Sequence, residues 1–393
     1  MRVLWAACAQ PGSLFPAVPL VQELAGRGHR VTAIADGTTR ETFAALDVGF
    51  VPAARRDKVG EAGAGDPDVD ARRAWHRAYV QGWFADAIEA LSSGRYDVVL
   101  ADPLEPGAAF AAELAGVPSV SYAHWAIDEA GPDLFFATHL WDRDGDAAEA
   151  FVEFWNDQRA AVGLPPDPRP ADQHRWYRHS PQLALVLGLP ELVHPTGELP
   201  AYARRVGPSV WAPPRTSAVP NQLQRRDSNR DLVLVSVSTV GPADQRLLTT
   251  ITEAVRGDDV DVLVTTPNGE APAGLPSNVT VVPFLAHDAD LLAGVDLVVS
   301  HAGYGSVTRA ACSGLPMLLF PRRGDQFAAA RGAVHAGLAI SLDTAETTET
   351  AVRDALARLR TNPDYRSRAR SLAAVAARYQ APARAAEEIS RLA

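Results

Sequence analysis

The sequence predicts an α/β protein built from two Rossmann-like domains, each with a parallel sheet and helices on both of its faces. Three observations support this fold class. Short β-branched runs alternate with helical segments along most of the chain, which is typical of βα units. The alternation lapses over residues 207–230, where Pro, Ser, Arg and Asn are frequent and indicate a linker. The length of 393 residues also exceeds one ordinary core and favours two domains of roughly 150–200 residues.

Bulk composition restricts the classes of function. The net charge of −10 and the pI near 5.5 argue against a nucleic-acid-binding surface. No apolar run approaches the roughly 20 residues of a membrane span, and the short apolar start leads into Pro11-Gly12 and a helix, so we expect a cytoplasmic protein without a signal peptide. Cys8 and Cys312 lie in apolar runs and are expected to be buried thiols, not a disulfide or a metal pair.

The first half of the chain alternates strands with helices. Strands are predicted where apolar and β-branched residues run together, and helices where apolar residues recur at helical spacing. The predicted strands are 3–7, 30–35, 98–101 and 118–122, and the predicted helices are 16–25, 38–46, 70–91 and 106–114. Residues 53–69 contain several Gly and Asp and are predicted to be a mobile loop.

The alternation resumes after the linker and continues to residue 342. The predicted strands here are 232–237, 260–265, 295–300 and 315–320, and the predicted helices are 243–255 and 307–313. Three further helices are predicted to end the chain, over residues 347–359, 363–376 and 382–392. The pattern therefore predicts a second sheet of the same kind as the first.

The most informative segment follows the strand 295–300. The turn from His301 to Ser306 contains Gly303 and Gly305 and leads into a helix that opens at Ser306-Val307. A glycine-rich turn at a helix N-terminus presents backbone N–H groups and the positive end of the helix dipole, which suits a phosphate group.

The next strand, 315–320, is followed by a carboxylate and a carboxamide in Asp325 and Gln326. In a doubly wound sheet the turns at the carboxyl ends of neighbouring strands face one crevice. A phosphate attached to a group rich in hydroxyls fits such a pair, and a nucleotide sugar is the obvious candidate. By themselves, His301 could cap a buried strand and Asp325-Gln326 could supply a helix N-cap.

A nicotinamide-dependent dehydrogenase is the competing interpretation of Gly303-x-Gly305. The third glycine of the dinucleotide motif is replaced by Thr308, and Asp325 follows a strand end with Arg322-Arg323-Gly324 before it. No phosphate-loop lysine is present, since Lys58 is the only lysine of the chain. These departures argue against a dehydrogenase.

Several motifs resemble, in order and spacing, the GT-B glycosyltransferases of the large inverting family that uses nucleotide sugars. The likeness is greatest to the actinobacterial members that decorate natural products, and it covers nearly the whole chain. The matching segments are 1–4, 15–20 and 28–31 at the start, 97–102 with 114–118, 281–284, and 301–303 through 314–316 with 325–326.

The resemblance implies the architecture and the donor site. Two Rossmann-like domains would face each other across a cleft, with residues 1–206 binding the acceptor, 207–230 as linker, 231–376 binding the donor and 377–393 returning to the first domain. In the family, the residue matching His301 contacts the diphosphate, and the pair matching Asp325 and Gln326 binds sugar hydroxyls. The donor residues that the resemblance and the turn together predict are Thr239, Gly241, Phe284, His301, Gly303, Gly305, Ser306, Val307, Asp325 and Gln326. Phe284, where the family commonly has Trp, would stack on the base or fill the core.

The acceptor side departs from the family pattern. The histidine that usually acts as general base falls on Ser13, in the turn 9–16, whereas Asp102 is present where the orienting acid belongs. Three hypotheses stay open for the removal of the acceptor proton. Asp102 accepts it directly or through a water held by Ser13, or His124, just past a strand end, is the base. Alternatively, an acidic acceptor such as a phenol needs little help to lose the proton.

Aromatic residues are frequent in the loops and helices of the first half. Many of them must be core, but a surplus there suits a flat, apolar acceptor, and Trp75, Trp83, Trp125 and Phe135 are predicted to bind it. Residues 53–69 and 126–147 are predicted to be lids that exclude water from the activated sugar.

These expectations combine into one function. The resemblance implies an inverting glycosyltransferase that moves a deoxysugar from a dTDP-linked donor to a hydrophobic natural-product aglycone, with no metal or other cofactor. One alternative is a catalytically silent auxiliary protein that activates a partner enzyme, which the missing histidine suggests. The other alternative is a sugar-phosphate epimerase of the same fold. Whether the chain forms a homodimer is left open.

Overall fold

Two separate, fully parallel sheets carry the fold in this computed structural model. The structure describes residues 1–60, 68–124, 147–192, 199–213, 230–236, 244–266, 271–283, 285–322, 324–345 and 347–392. The first compact unit contains Met1–Gly188, Gly197–Ser209 and Gln380–Ala393, and the second contains Leu189–Thr196 and Val210–Tyr379.

Sheet A, in the first unit, has the strand order β3-β2-β1-β4-β5-β6-β7. Its strands are β1 (Arg2–Ala6), β2 (Arg30–Ala35), β3 (Gly49–Pro52), β4 (Val98–Ala101), β5 (Ser119–Ala123), β6 (Ala184–Val186) and β7 (Ala203–Arg205). The chain order reverses where β1 pairs with β4, so the carboxyl ends of these two strands flank the topological switch point of the sheet. Ligands of doubly wound sheets bind at such points.

The helices of the first unit cover both faces of sheet A. They are α1 (Pro11–Gly26), α2 (Arg40–Ala45), α3 (Ala54–Val59), α4 (Val69–Ser93), α5 (Pro106–Ala115), α6 (Ala147–Ala161) and the C-terminal α13 (Ala381–Leu392), which packs on α1. Gly107 lets α4 and α5 approach closely, because a Cβ atom there would lie 2.2 Å from the carbonyl oxygen of Val80.

Helix α1 begins earlier than predicted, and this changes the setting of Ser13. The predicted turn 9–16 is largely the start of the helix, with extended Gln10 as the N-cap and Pro11 in the first turn. Proline is tolerated there because the first N–H groups of a helix have no carbonyl to bond. Ser13 therefore lies in the first turn of a helix and not in a loop.

The prediction that residues 53–69 form a loop is wrong over 54–59, which form α3. The backbone N–H groups of Arg55 and Arg56 donate to the carboxylate of Asp86, over 2.9 and 3.0 Å to Oδ2. A carboxylate from α4 thus caps the beginning of α3, which no local pattern could indicate. Residues 61–67 of the predicted loop lie outside the described residues.

Sheet B, in the second unit, has the strand order β10-β9-β8-β11-β12-β13. Its strands are β8 (Asp231–Ser236), β9 (Val260–Thr265), β10 (Val279–Val282), β11 (Leu297–Ser300), β12 (Met317–Leu319) and β13 (Ala339–Ser341). The helices are α7 (Gln245–Ala254), α8 (Ala289–Ala293), α9 (Tyr304–Cys312), α10 (Asp325–His335), α11 (Glu349–Thr361) and α12 (Pro363–Ala376). The chain order reverses between β8 and β11, which places the switch point of this sheet beside His301.

The cores follow the sequence pattern. Val98 to Ala101 of β4 are all buried, as expected for a strand covered by helices on both faces. Both cysteines are free thiols, with Cys8 buried and Cys312 half-buried. Within the described residues, no helix combines the length and apolarity needed to cross a membrane.

Candidate active site

The first group of predicted site residues lies at the switch point of sheet A. Cys8 and Ser13 follow β1, and Asp102 and Glu105 follow β4, the strand paired with β1. All four are buried, although three of them carry polar or acidic side chains. Buried polar groups at a switch point are candidates for ligand binding or catalysis.

Asp102 is fully buried and firmly held. Its Oδ1 accepts a hydrogen bond from the backbone N–H of Leu104 over 2.9 Å, and its Oδ2 accepts one from the hydroxyl of Tyr122 over 3.0 Å. The indole N–H of Trp5 donates in turn to the Tyr122 hydroxyl over 3.3 Å. Burial raises the pKa of Asp102, and the positive charges of His124 and Arg178 and these hydrogen bonds oppose the rise.

His124 directly follows β5 and shares the surroundings of Asp102. Its ring lies 5.8 Å from that of Tyr122, and it is buried. The structure thus brings the two predicted base candidates, Asp102 and His124, to adjacent strand ends. Arg178, also buried, donates to the carbonyl oxygen of Pro103 over 3.3 Å and adds a positive charge to this region.

Ser13 belongs to the same cluster through Cys8. Burial and the charges of Glu105 and Asp102 raise the pKa of the Cys8 thiol well above its ordinary value, and the nearby Ser13 side chain opposes this rise. Ser13 itself is 3% exposed. The serine at the position of the family histidine therefore lies near a thiol on which both acidic residues act.

Glu105 was missed in the sequence. It is 1% exposed, its backbone N–H donates to the carbonyl oxygen of Asp102 over 2.8 Å, and its Oε1 accepts from the hydroxyl of Tyr79 over 2.9 Å. Burial and the charge of Asp102 raise the pKa of Glu105 to about 8. The only sign of it in the sequence is a second acid in the otherwise apolar stretch 98–112.

The predicted acceptor-binding aromatics separate into different settings. Trp83 is 1% exposed and packs in the core with Leu4, Ile34 and neighbouring alanines, so it is a core residue and not part of a binding surface. Trp75 is half-buried, stacks on Tyr79 at 5.1 Å and donates to the carbonyl oxygen of Gly60. Trp125, Phe135 and the predicted lid over 126–146 lie outside the described residues.

The second group lies at the switch point of sheet B, where His301 follows β11. Ala302, the next residue, is fully buried and has a φ of 62°, in the left-handed region that costs a non-glycine residue free energy. A Cβ atom on Gly303 would lie 2.8 Å from Nε2 of His301. The imidazole therefore lies against the glycine that begins helix α9.

Helix α9 begins at Tyr304, two residues before the predicted opening at Ser306, so Gly305 lies in its first turn. Gly303 is the N-cap without a side-chain hydrogen bond, and its carbonyl oxygen accepts from the N–H groups of Ser306 and Val307. The earlier N–H groups of a helix have no intrahelical acceptor and carry the positive end of the dipole. His301, Gly303 and Gly305 are thus placed together around a seat suited to an anion.

Asp325 and Gln326 occupy the first turn of α10 and are half-buried. Gly324 is the N-cap, so the alternative that this pair supplies the cap is wrong. Gln326 Oε1 accepts from the backbone N–H of Arg322 over 2.9 Å. Since β11 and β12 are paired and Phe320 N–H donates to Ser300 O, the chain leaves β12 beside the strand end that carries His301.

The other predicted donor residues, Thr239, Gly241 and Phe284, lie outside the described residues. A further cation was missed in the sequence: Arg309 of α9 donates to the carbonyl oxygen of Trp211 over 2.9 Å, and burial lowers its pKa. Burial, and to a smaller extent the charge of Arg309, lower the pKa of His287 to about 4.

In the described part of the chain, no group of three or more His, Cys, Asp or Glu side chains is placed to hold a metal ion.

Comparisons with known proteins show which families and structures the chain is similar to. Residues 249–392 match the family of C-terminal domains like that of erythromycin biosynthesis protein CIII. The chain is 26% identical to 4'-demethylrebeccamycin synthase of Lentzea aerocolonigenes over 94% of each chain. Its structure resembles the glycotransferase of kitacinnamycin, with a TM-score of 0.80 and 22% identity over 100% and 98% of the two chains.

The structure also resembles glycosyltransferase VinC, solved with dTDP, with a TM-score of 0.73 and 21% identity over 100% and 99% of the two chains. These likenesses confirm the predicted α/β fold class of GT-B type. The chain is similar to the glycosyltransferases of actinobacterial natural-product biosynthesis.

Proposed function

We propose that this chain, a glycosyltransferase of the GT-B fold, moves a deoxysugar from a dTDP-linked donor to a hydrophobic natural-product aglycone and inverts the anomeric carbon. One observation carries the proposal: the His301 imidazole lies against Gly303 at the opening of helix α9, beside the strand end that leads to Asp325 and Gln326. Such a site combines donors for a diphosphate with acceptors for sugar hydroxyls.

On the donor side, negative charge grows on the diphosphate as the sugar leaves. The imidazole of His301 and the first N–H groups of α9 stabilise that charge, and removal of one such donor typically costs about 3–4 kcal/mol in the transition state. The Asp325 carboxylate accepts hydrogen bonds from sugar hydroxyls, while the Gln326 side chain both donates and accepts. The dTDP preference is supported by the resemblance to a glycosyltransferase solved with dTDP.

On the acceptor side, the acceptor oxygen attacks the anomeric carbon while the bond from that carbon to the phosphate oxygen breaks. The acceptor proton passes to Asp102, directly or through a water held by Ser13, and dTDP leaves with the bonding electron pair. His124 is the alternative proton acceptor, and a phenolic acceptor would need neither. Asp102 is favoured because its carboxylate is fixed by two hydrogen bonds at the switch point of sheet A, where the segment that contains Ser13 also begins.

Nucleotide binding tests the donor half. Because dTDP should bind only the folded chain, it should raise the free energy of unfolding by about 2.7 kcal/mol at a concentration of 100 Kd. The melting temperature should rise accordingly. The shift should be larger than with UDP, and it should shrink in His301→Ala. A protein that responds to none of these nucleotides would contradict the proposal and favour the silent auxiliary protein. Analysis of the anomeric configuration of the product then tests inversion.

A further inference from the structure

Two carboxyl groups are buried three residues apart in the turn that follows β4. Asp102 is 0% exposed and Glu105 is 1% exposed, and a hydrogen bond of 2.8 Å from the Glu105 N–H to the Asp102 carbonyl oxygen closes the turn that carries both residues. The charge of Asp102 raises the pKa of Glu105, because like charges that are shielded from water repel strongly. Such a pair ordinarily keeps one proton, as a carboxyl and a carboxylate.

The hydrogen-bond donors indicate which group is ionised. Asp102 accepts from Leu104 N–H on one oxygen and from the Tyr122 hydroxyl on the other, so both of its oxygens are served as a carboxylate requires. Glu105 accepts from Tyr79 on Oε1 only. Among the described residues Oε2 has no hydrogen-bond partner, and the Cys8 thiol, which also acts on the Glu105 carboxyl, is only a weak donor. The proton therefore belongs on Glu105.

The nearby charges support the same assignment. The guanidinium of Arg56 reaches the Tyr79 hydroxyl over 3.3 Å, but it forms ion pairs with Asp36 over 2.7 Å and with Asp57 over 3.4 Å. Tyr79 therefore separates Arg56 from Glu105, and the cation does not pair with Glu105 directly. The charges that act on Asp102 from other elements are those of His124 and Arg178, and both favour its ionised form.

We propose that Asp102 and Glu105 form a coupled carboxyl pair that holds a single proton on Glu105 at neutral pH, which leaves Asp102 as the one carboxylate of the strand end. Glu105 is a positioning residue, since it acts on the acceptor proton only through Asp102. The catalytic meaning of the pair rests on the proposed function, whereas its protonation does not. Below its pKa of about 8 Glu105 is neutral, and above it a second negative charge appears beside Asp102 and raises the proton affinity of Asp102.

Infrared difference spectroscopy of the full chain tests the protonation directly. The wild type should show the C=O band of a protonated carboxylic acid at neutral pH, which disappears on titration through about 8 and is missing in Glu105→Gln. In Asp102→Asn the midpoint should fall, because the neighbouring charge is gone; in Tyr79→Phe it should rise, because the ionised form loses a donor. The pair is refuted if Glu105→Gln removes no such band, or if Asp102→Asn leaves the midpoint in place.

The dependence of kcat on pH tests the coupling to the reaction. The wild-type profile should carry an inflection near pH 8 that Glu105→Gln abolishes, while the limb at lower pH stays. An inflection that Glu105→Gln retains would overturn the positioning role. A loss of kcat in Glu105→Gln as large as in Asp102→Asn would also overturn it, because Glu105 would then be the proton acceptor itself. If the infrared band behaves as expected but dTDP does not bind, the pair stands and the proposed function fails.

Discussion

The hydroxyl of Tyr122 donates a hydrogen bond to Oδ2 of Asp102 over 3.0 Å between two fully buried side chains. Tyr122 lies on β5 and Asp102 directly follows the adjacent strand β4, and the register of the two strands brings Ser121 opposite Ala101. Trp5, on the other side of β4, donates to the same hydroxyl. Three neighbouring strands therefore hold one carboxylate in place, and its acidity depends on a phenol that never needs to touch the acceptor.

The first prediction concerns this phenol. Tyr122→Phe removes a hydrogen bond to a charged group and leaves the Trp5 N–H without that acceptor, so unfolding should become easier by about 1–3 kcal/mol. Because the lost bond favoured the carboxylate, the pKa of Asp102 should rise, and the acidic limb of the kcat/KM profile should move to higher pH. The measurement is that profile for wild type and variant, and a limb at the same pH would show that Tyr122 does not control Asp102.

The second prediction separates the two base candidates. Asp102→Asn keeps the size of the side chain and should lower kcat by about 10²–10⁴-fold if its carboxylate takes the proton. His124→Ala should have the smaller effect, through the lost positive charge near Asp102. Transfer rates under saturating donor, with melting temperatures to confirm folding, give the answer. The reverse order would make His124 the base, and two unchanged rates would favour an acceptor that ionises unaided.

The third prediction tests the diphosphate seat. In Gly303→Ala the new Cβ would lie 2.8 Å from Nε2 of His301, so the imidazole must move away. The loss of this donor should lower kcat by about 100-fold or more, with little change in the melting temperature. Gly294→Ala is the matched control, because its Cβ makes only an ordinary 3.5 Å contact at the opposite end of β11. Equal activities of the two variants would show that His301 does not contact the leaving group.

The fourth prediction is a pH dependence of stability. The pKa of Glu105 is about 8 in the folded chain against an ordinary 4.5, so folding favours the protonated form. Its contribution to stability is complete below pH 4.5 and is lost as the pH rises through 8, by at most ~1.4 kcal/mol per pH unit.

Glu105→Gln cannot ionise and should lack this loss. Denaturant unfolding of both proteins should therefore give a difference in unfolding free energy that shifts in favour of the variant as the pH rises from 5 to 8. Parallel stability curves across that range would mean that Glu105 is ionised at neutral pH. That result would contradict the proposal that Glu105 holds the single proton of the coupled pair.

Local patterns predicted the long apolar strands well, and the helix boundaries and short strands such as β6 and β7 less well. β4 and β11 are continuous apolar runs, which leave little choice once both faces are covered. The predicted start of α1 is too late because Pro11-Gly12-Ser13 is typical of a turn, although these residues form the first turn of the helix. Helix α3 was missed because Asp86, about 30 residues later, supplies its cap.

The sequence by itself determined the fold class and the glycine turn that follows β11. His301, Gly303 and the start of α9 are contiguous, so their spacing already specifies a strand end, a glycine turn and a helix N-terminus. Only the tertiary structure decided which residues surround Asp102. Tyr122, Tyr79 and Cys8 come from β5, α4 and the end of β1, and burial among them sets the acidity of two carboxyl groups. Acidity depends on desolvation and on charges distant in the chain, which periodicity and local spacing do not encode.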